Sequence, residues 1–267
     1  MRFGKRAMGA AALLGFATLP QSADADTADL AKELANPIGS LISLPFQLNY
    51  DANIGPNRDG ERLVLNIQPV VPMQAGSDLT LISRTILPVI WAWDPAPGVD
   101  SRFGLGDMLQ SFFFSPNSSG GLIWGAGPAL TIPTGTDRLL SGRKWLAGPT
   151  AVALSQTGGW TMGALANHLW SFAGSADARE RSETFVQPFL SYATAGGTTY
   201  ALSADFTHDW KLGTTVMPIN ANVSQLTAFG RQPVSIGGGL RWHAVTTQSA
   251  PHGLGGRLTL TFLFPGQ

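Results

Sequence analysis

The sequence predicts an all-β fold, a transmembrane antiparallel β-barrel of about twelve strands preceded by a short N-terminal helix. Three observations predict it. Charge is scarce, apolar residues recur at alternate positions in runs of about ten, and an export leader precedes them.

The scarcity of charge comes first. Asp, Glu, Lys and Arg make up 13% of the chain, against ~25% in ordinary soluble domains. Apolar residues stand at 44%, close to the usual fraction. Surface charge is therefore missing while core-forming residues are not in excess, as expected where the outer surface meets lipid. Without Arg2, Lys5, Arg6 and Asp24, the 17 basic and 17 acidic residues fall to 14 and 16. That slightly acidic balance argues against a nucleic-acid partner, which calls for a basic stripe. The absence of cysteine excludes a disulfide framework and thiolate chemistry.

The leader comes second. Arg2, Lys5 and Arg6 precede an apolar run from Ala7 to Leu19, and Ala23-Asp24-Ala25 supplies a small-x-small cleavage pattern. Residues 1–25 thus read as a signal peptide cut before Asp26. The apolar run is too short to cross a bilayer as a helix, which takes ~20 residues. Residues 26–40 follow, with Leu30 and Leu34 four apart and Asn36-Pro37 ending the pattern. They read as a short amphipathic helix that caps the periplasmic mouth, lies inside the barrel, or is a disordered leader.

The alternation comes third and sets residues 41–267 as the barrel. Leu258, Leu260, Phe262 and Phe264 alternate with Thr259 and Thr261, and Val234, Ile236, Leu240 and Trp242 with Ser235, Gly237, Gly239, Arg241 and His243. Tyr200, Leu202, Ala204 and Phe206 alternate with Ser203, Asp205 and Thr207, and Leu63, Leu65 and Ile67 with Asn66 and Gln68. Strand side chains point alternately to opposite faces, and a tilted membrane strand needs ~9–11 residues. Further strands are expected at 41–50, 79–91, 105–114, 121–132, 145–156, 158–170, 184–194 and 213–223. Asp107 and Gln110 fall on opposite parities, which a bulge would reconcile. Pro45, Pro69, Pro128, Pro149 and Pro188 fall inside these strands and count against them, since proline gives no ladder donor. Trp91, Trp93, Trp145, Trp170 and Trp210 lie near strand ends, as in an aromatic girdle. Phe264 is followed by Pro265-Gly266-Gln267, so the terminal aromatic that barrel-assembly machinery reads is displaced.

Several segments together resemble a known family. They are 34–47 (Leu34-Ala35-Asn36-Pro37-Ile38-Gly39-Ser40 onward), 104–116 (Gly104-Leu105-Gly106-Asp107 onward), Asn167-His168-Leu169-Trp170-Ser171, Gln187-Pro188-Phe189-Leu190 and Phe262-Leu263-Phe264-Pro265. They are similar, in the same order, to the outer-membrane group linked to the MetA pathway of phenol degradation. The resemblance implies a barrel that admits small, hydrophobic or aromatic compounds. It implies no catalytic residues.

Candidate pore-lining residues are the polar ones on the inward parity: Asn66, Gln68, Arg84, Asn167, Gln187, Asp205 and Arg241. An ionisable group inside a membrane is costly unless it meets water or a partner, and inward charges set a pore's field. The alternative is that they pair across the lumen and only stiffen it. Of the histidines, His168, His208, His243 and His252, none forms a metal-ligand spacing. His208 lies on the apolar parity, where it reads as an interfacial residue ahead of a member of a lipid-facing Ser-His pair. Gly125-Ala126-Gly127 and Gly237-Gly238-Gly239 lack the third glycine and the helix of a dinucleotide site, and read as places of close packing. No metal or other cofactor is expected. The leading expectation is a monomeric, non-enzymatic outer-membrane channel for passive passage of small organic solutes, with membrane lipid around it. A structural or adhesive barrel, a barrel-type lipid hydrolase and a soluble periplasmic sandwich are the alternatives.

Overall fold

A computed structural model describes residues 24–117 and 121–264. The expected leader, 1–25, lies almost wholly outside them. Helix α1 runs from Asp24 to Leu34. Twelve antiparallel strands follow. They are β1 (Ile42–Ile54), β2 (Gly60–Ile67 continuing as Val70–Gln74), β3 (Leu79–Trp93) and β4 (Arg102–Leu105 continuing as Met108–Pro116). Next come β5 (Leu122–Ile132), β6 (Lys144–Thr157), β7 (Trp160–Gly174) and β8 (Ser182–Ala193). The last are β9 (Thr198–Ala204 continuing as Phe206–Asp209), β10 (Thr214–Phe229), β11 (Gln232–Val245) and β12 (Gly253–Phe264). Each strand pairs with its chain neighbours, and β12 returns to pair with β1, from Ile42 opposite Phe264 to Tyr50 opposite Gly256. The sheet is therefore closed and has no edge, the condition for strands to cross hydrocarbon.

The starts of α1 and β1, the end of β12 and the short turns, such as 158–159 and 230–231, lie at one rim. The longer connections 94–101, 133–143 and 175–181 lie at the other. Short turns at one rim and longer loops at the other are the habit of bacterial outer-membrane barrels. The outer surface carries two aromatic bands. Trp93, Phe103, Trp170, Trp210 and Trp242 stand exposed near the loop rim, and Trp124, Trp160, Tyr200, Phe229 and Phe264 near the terminal rim.

Every expected strand is present. The prolines find local answers. Pro69 sits between the two parts of β2, Pro128 and Pro149 oppose each other across β5 and β6, and the carbonyl of Pro45 still accepts from the Gln68 amide. The bulge in β4 exists. Val89 opposes Leu105, but Ile86 opposes Leu109, so one extra residue is inserted at 106–107. Its loosened backbone is satisfied by the following loop. Thr134 Oγ1 accepts from the Met108 amide and donates to the Gly106 carbonyl, and Thr136 Oγ1 accepts from the Leu105 amide. A buried backbone group needs such a partner. The bulge does not turn Gln110 inward. That amide lies on the outer face, where it bonds Ser83 and Thr85.

The N-terminal segment lies inside the terminal rim. Ala31 is 2% exposed and packs with Leu30 and Leu34 against inward-facing Ala193, Leu226 and Leu263. Gln156 donates to the Lys32 carbonyl, and Glu33 folds the segment back by accepting from the Ser40 amide and hydroxyl. Ile38 then enters a cluster with Ile82, Phe113, Val152, Leu154 and Leu165. Gly125 makes room for it, since a Cβ there would press on Phe113 and on Ile38 itself.

The face assignment generates a prediction. Leu260 lies outward at mid-strand between Phe46 and Ile236. Leu260→Arg should cost ~2–4 kcal/mol at mid-membrane, read from urea titration of folding into phospholipid vesicles. A neutral effect would contradict the assignment.

Candidate functional site

The lumen has two unlike walls. The inner faces of β3 to β8 carry the large apolar side chains, with Phe113, Leu154 and Leu165 toward the terminal rim and Leu109, Leu146 and Leu169 beyond them. The inner faces of β1, β2 and β9 to β12 carry a belt of polar side chains.

Asp51 is the centre of that belt. Its side chain is 2% exposed and accepts from Arg62 at 2.9 Å, Arg241 at 3.2 Å and His243 Nε2 at 3.0 Å. Arg241 also donates to Asn49 Oδ1 at 3.1 Å, and Arg257 donates to the same oxygen at 2.7 Å. Arg257 then reaches toward Asp205 at 3.9 Å. Asp205 in turn accepts from Gln187 at 2.7 Å and Asn220 at 2.9 Å. Arg84 stands across the lumen and donates to Gln68 at 3.3 Å.

Local sequence makes the belt possible. Asp51 and Arg241 are on strands separated by β12, and the residue between them is Gly255. A Cβ at Gly255 would meet the Tyr50 carbonyl at 2.4 Å and an Asp51 carboxylate oxygen at 3.3 Å. Glycine keeps the path across β12 clear. Gly239, one row away, is as confined, because a Cβ there would meet the Ala221 carbonyl and the Asn222 amide oxygen at 2.3 Å. The glycine run in β11 is thus a place of close packing.

All seven residues read as pore-lining lie on inward positions. The structure joins Gln187, Asp205 and Arg241 in one network and pairs Gln68 with Arg84. Asn66 and Asn167 face the lumen apart from it, opposite Gln47 and Thr150. The sequence reading missed Asn49, Asp51, Arg62, His243, Arg257 and Asn220. The signal for the first two was present, because Gln47, Asn49 and Asp51 alternate with Phe46, Leu48 and Tyr50. His208 faces outward, bonded to Thr215 and edge-on to Trp210, which is the place of an interfacial residue.

The model of the family described as putative MetA-pathway of phenol degradation matches residues 59–250. The chain belongs to this family. No curated protein matches it significantly. Among solved structures it is similar to an outer membrane channel from Pseudomonas putida F1, at 14% identity and a TM-score of 0.65, over 84% of this chain and 96% of that one. It is also similar to outer membrane phospholipases from Salmonella typhi and Escherichia coli. Each is 10% identical with a TM-score of 0.47, over 88% of this chain and 97% or 98% of theirs. The family member thus has the fold of a bacterial outer-membrane barrel.

At the loop rim, 133–143 folds against the inner face of β4. Asp107, in the bulge, accepts from Ser141 Oγ at 2.6 Å and the Gly142 amide at 2.7 Å. Connection 175–181 clasps this loop. Asp177 binds Arg138 and Arg143, and Glu180 binds Lys144 at 2.7 Å. The Ser175 hydroxyl, with the Arg143 guanidinium beside it, holds the Asp177 carboxyl down to about 2, and hydrogen bonds from Lys144 and Ser171 lower that of Glu180.

Two predictions follow from these contacts. Asp51→Ala leaves Arg241 and His243 enclosed without their acceptor. Removing one partner of a buried pair costs about 3–5 kcal/mol, measurable as a lower urea midpoint for unfolding from vesicles. An unchanged midpoint would show that the belt is not structural. The clasp contributes fully above the ordinary carboxylate value of 3.8 and fades as the pH falls toward 2. A spin label at Ala176 should therefore gain mobility only through that acid window, and mobility already high at neutral pH would refute the clasp.

Proposed function

We propose that this protein is a passive outer-membrane channel for small organic solutes that are hydrophobic or aromatic in part. In this reading residues 1–25 are removed on export, residues 26–40 form the inner N-terminal segment, and the barrel-assembly machinery inserts 41–267. It works as a monomer, without a cofactor and without catalysis.

The observation that carries the reading is the two-walled lumen. Phe113, Leu146, Leu154 and Leu165, packed at 0–3% exposure, form the apolar side that a passing solute must part, and the belt from Asp51 to Asp205 supplies hydrogen-bonding groups on the other. A solute with an apolar body and one polar group can slide along such a wall without burying an unpaired polar atom, which is the main penalty of entering a dry site. The belt also meets its buried charges with partners inside the barrel, as intramembrane charges require. The inner segment and loop 133–143 narrow the two ends, which favours small solutes over bulk electrolyte. Membership of a family described by phenol degradation, and similarity to an outer membrane channel, support the same reading.

Liposome swelling and planar-bilayer recording test it. The full chain should admit small phenolic or aliphatic solutes and show low ionic conductance. Deleting 26–40 should raise that conductance several-fold, because it removes Ala31 and Ile38 from the lumen. A barrel that stays sealed to ions and solutes in both forms would instead be a structural element of the membrane.

A further inference from the structure

We infer that the lumen holds a binding site for a small organic monocarboxylate with an apolar body, anchored on Arg84. The inference rests on the reading of the barrel as a solute channel and names the class of solute.

A cavity of about 140 Å3 lies between the inner N-terminal segment and the inner faces of β1 to β3. Leu34, Leu41 and Val70 give it apolar sides, Gln68 and Arg84 give it a cationic corner, and Glu33, Asn36 and Ser43 add polar atoms at its edges. An apolar cavity of ~150 Å3 takes a benzene molecule. This one therefore holds a single ring or a short aliphatic chain.

The polar corner is cationic and makes no ion pair, the carboxylate of Asp205 acting on it only from a longer range. Arg84 is half-buried and lines this cavity. Among the described residues no carboxylate lies within ion-pair distance of it, and the hydrogen bond shown is to the neutral amide of Gln68. The acids nearby are engaged elsewhere. Asp51 is held by Arg62, Arg241 and His243, and Asp205 by Gln187 and Asn220. Glu33 also borders the cavity, but its Oε1 is taken by the Ser40 amide and hydroxyl. Across the belt, Arg62, Arg84, Arg241 and Arg257 face only Asp51 and Asp205, so positive charge is in excess. A guanidinium presents a planar fork of donors that matches a carboxylate at two points. A monocarboxylate placed here would neutralise Arg84 and lay its apolar part against Val70 and Leu41. A neutral alcohol or amide of the same shape would fill the cavity and leave the charge unmet.

Equilibrium dialysis of the detergent-solubilised mature chain against benzoate and benzamide tests this, because the two probes share shape and differ in charge. Benzoate should bind one per chain and about tenfold tighter than benzamide, the gain of a charge-assisted pair over a neutral one. Arg84→Gln should bring the two affinities within about twofold, while Arg84→Lys keeps part of the preference because it keeps the charge without the fork. Val70→Phe, which fills the cavity and spares Arg84, should weaken both probes. Heat-modifiable migration identifies which variants have folded. Equal affinity for the two probes, or benzoate binding unchanged in Arg84→Gln or Val70→Phe, overturns the proposal. Dialysis reads binding alone. A failure of solutes to cross liposomes would therefore sink the channel reading separately from the carboxylate site.

Discussion

The pairing of β1 with β12 is the contact on which the rest of the molecule depends. Nine residue pairs, from Ile42 with Phe264 to Tyr50 with Gly256, turn an open sheet into a closed one. An open edge would expose a row of unpaired amides and carbonyls to hydrocarbon, at a cost of several kcal/mol each. Closure removes that edge and divides every side chain between two environments. Leu258 and Leu260 must then meet lipid, and Arg257 and Thr259 must meet the interior. The same closure brings Asp51 beside Arg241, 190 residues away in the chain. The polar belt is therefore a product of the seam.

Closing a ring of only twelve strands also creates a space that must be filled or lined. Two solutions share this lumen. On the β3 to β8 side the wall contributes large apolar side chains, and the N-terminal segment fills the gap with Ala31, Leu34 and Ile38. On the other side the wall contributes charged groups that neutralise one another across glycine gaps. Gly255 and Gly239 are small because charges must pass across their strands or backbones press upon them. The threonines at 134 and 136 play a comparable part at the loop rim. They supply hydroxyls to a bulge whose backbone has left the ladder.

How much of this the sequence shows depends on the range of the interaction. The strands are legible because each carries a period of two within ten residues, and even 79–91 is found nearly to its ends. Inward positions such as Gln68, Arg84 and Asp205 follow from the same parity. The bulge at 106–107 leaves a trace, since Asp107 and Gln110 disagree in parity. Yet the outward placement of Gln110 does not follow, because its partners Ser83 and Thr85 are on another strand. The place of the N-terminal segment is equally hidden. An amphipathic helix of this length suits a cap, a plug or a free leader, and only Ala193, Leu226 and Leu263 on three distant strands decide it. Partner choice within the belt is hidden for the same reason. Asn49 and Asp51 show their parity in the sequence, but that Asp51 meets two guanidiniums and an imidazole depends on the register of several strands at once.

The unequal sharing of charge around the belt separates stiffening from selection. Asp51 and its partners are fixed within the wall, where Arg62, Arg241 and His243 share one carboxylate and the group holds the seam. Removing water from such a group is tolerable because most of its hydrogen-bonding sites are met, Arg62 Nε excepted. Arg84 differs. It lies across the lumen, its hydrogen-bonded partner is an amide, and the accessible surface it keeps is bordered by apolar side chains of the inner segment. A charge whose only role was to brace the wall would be expected to face a carboxylate, as Arg241 does. A charge left with a neutral neighbour and a cavity in front of it instead favours whichever passing solute brings the missing anion. On that view the belt divides the work by position, with the seam side fixed by its own ion pairs and the Arg84 side left to the solute.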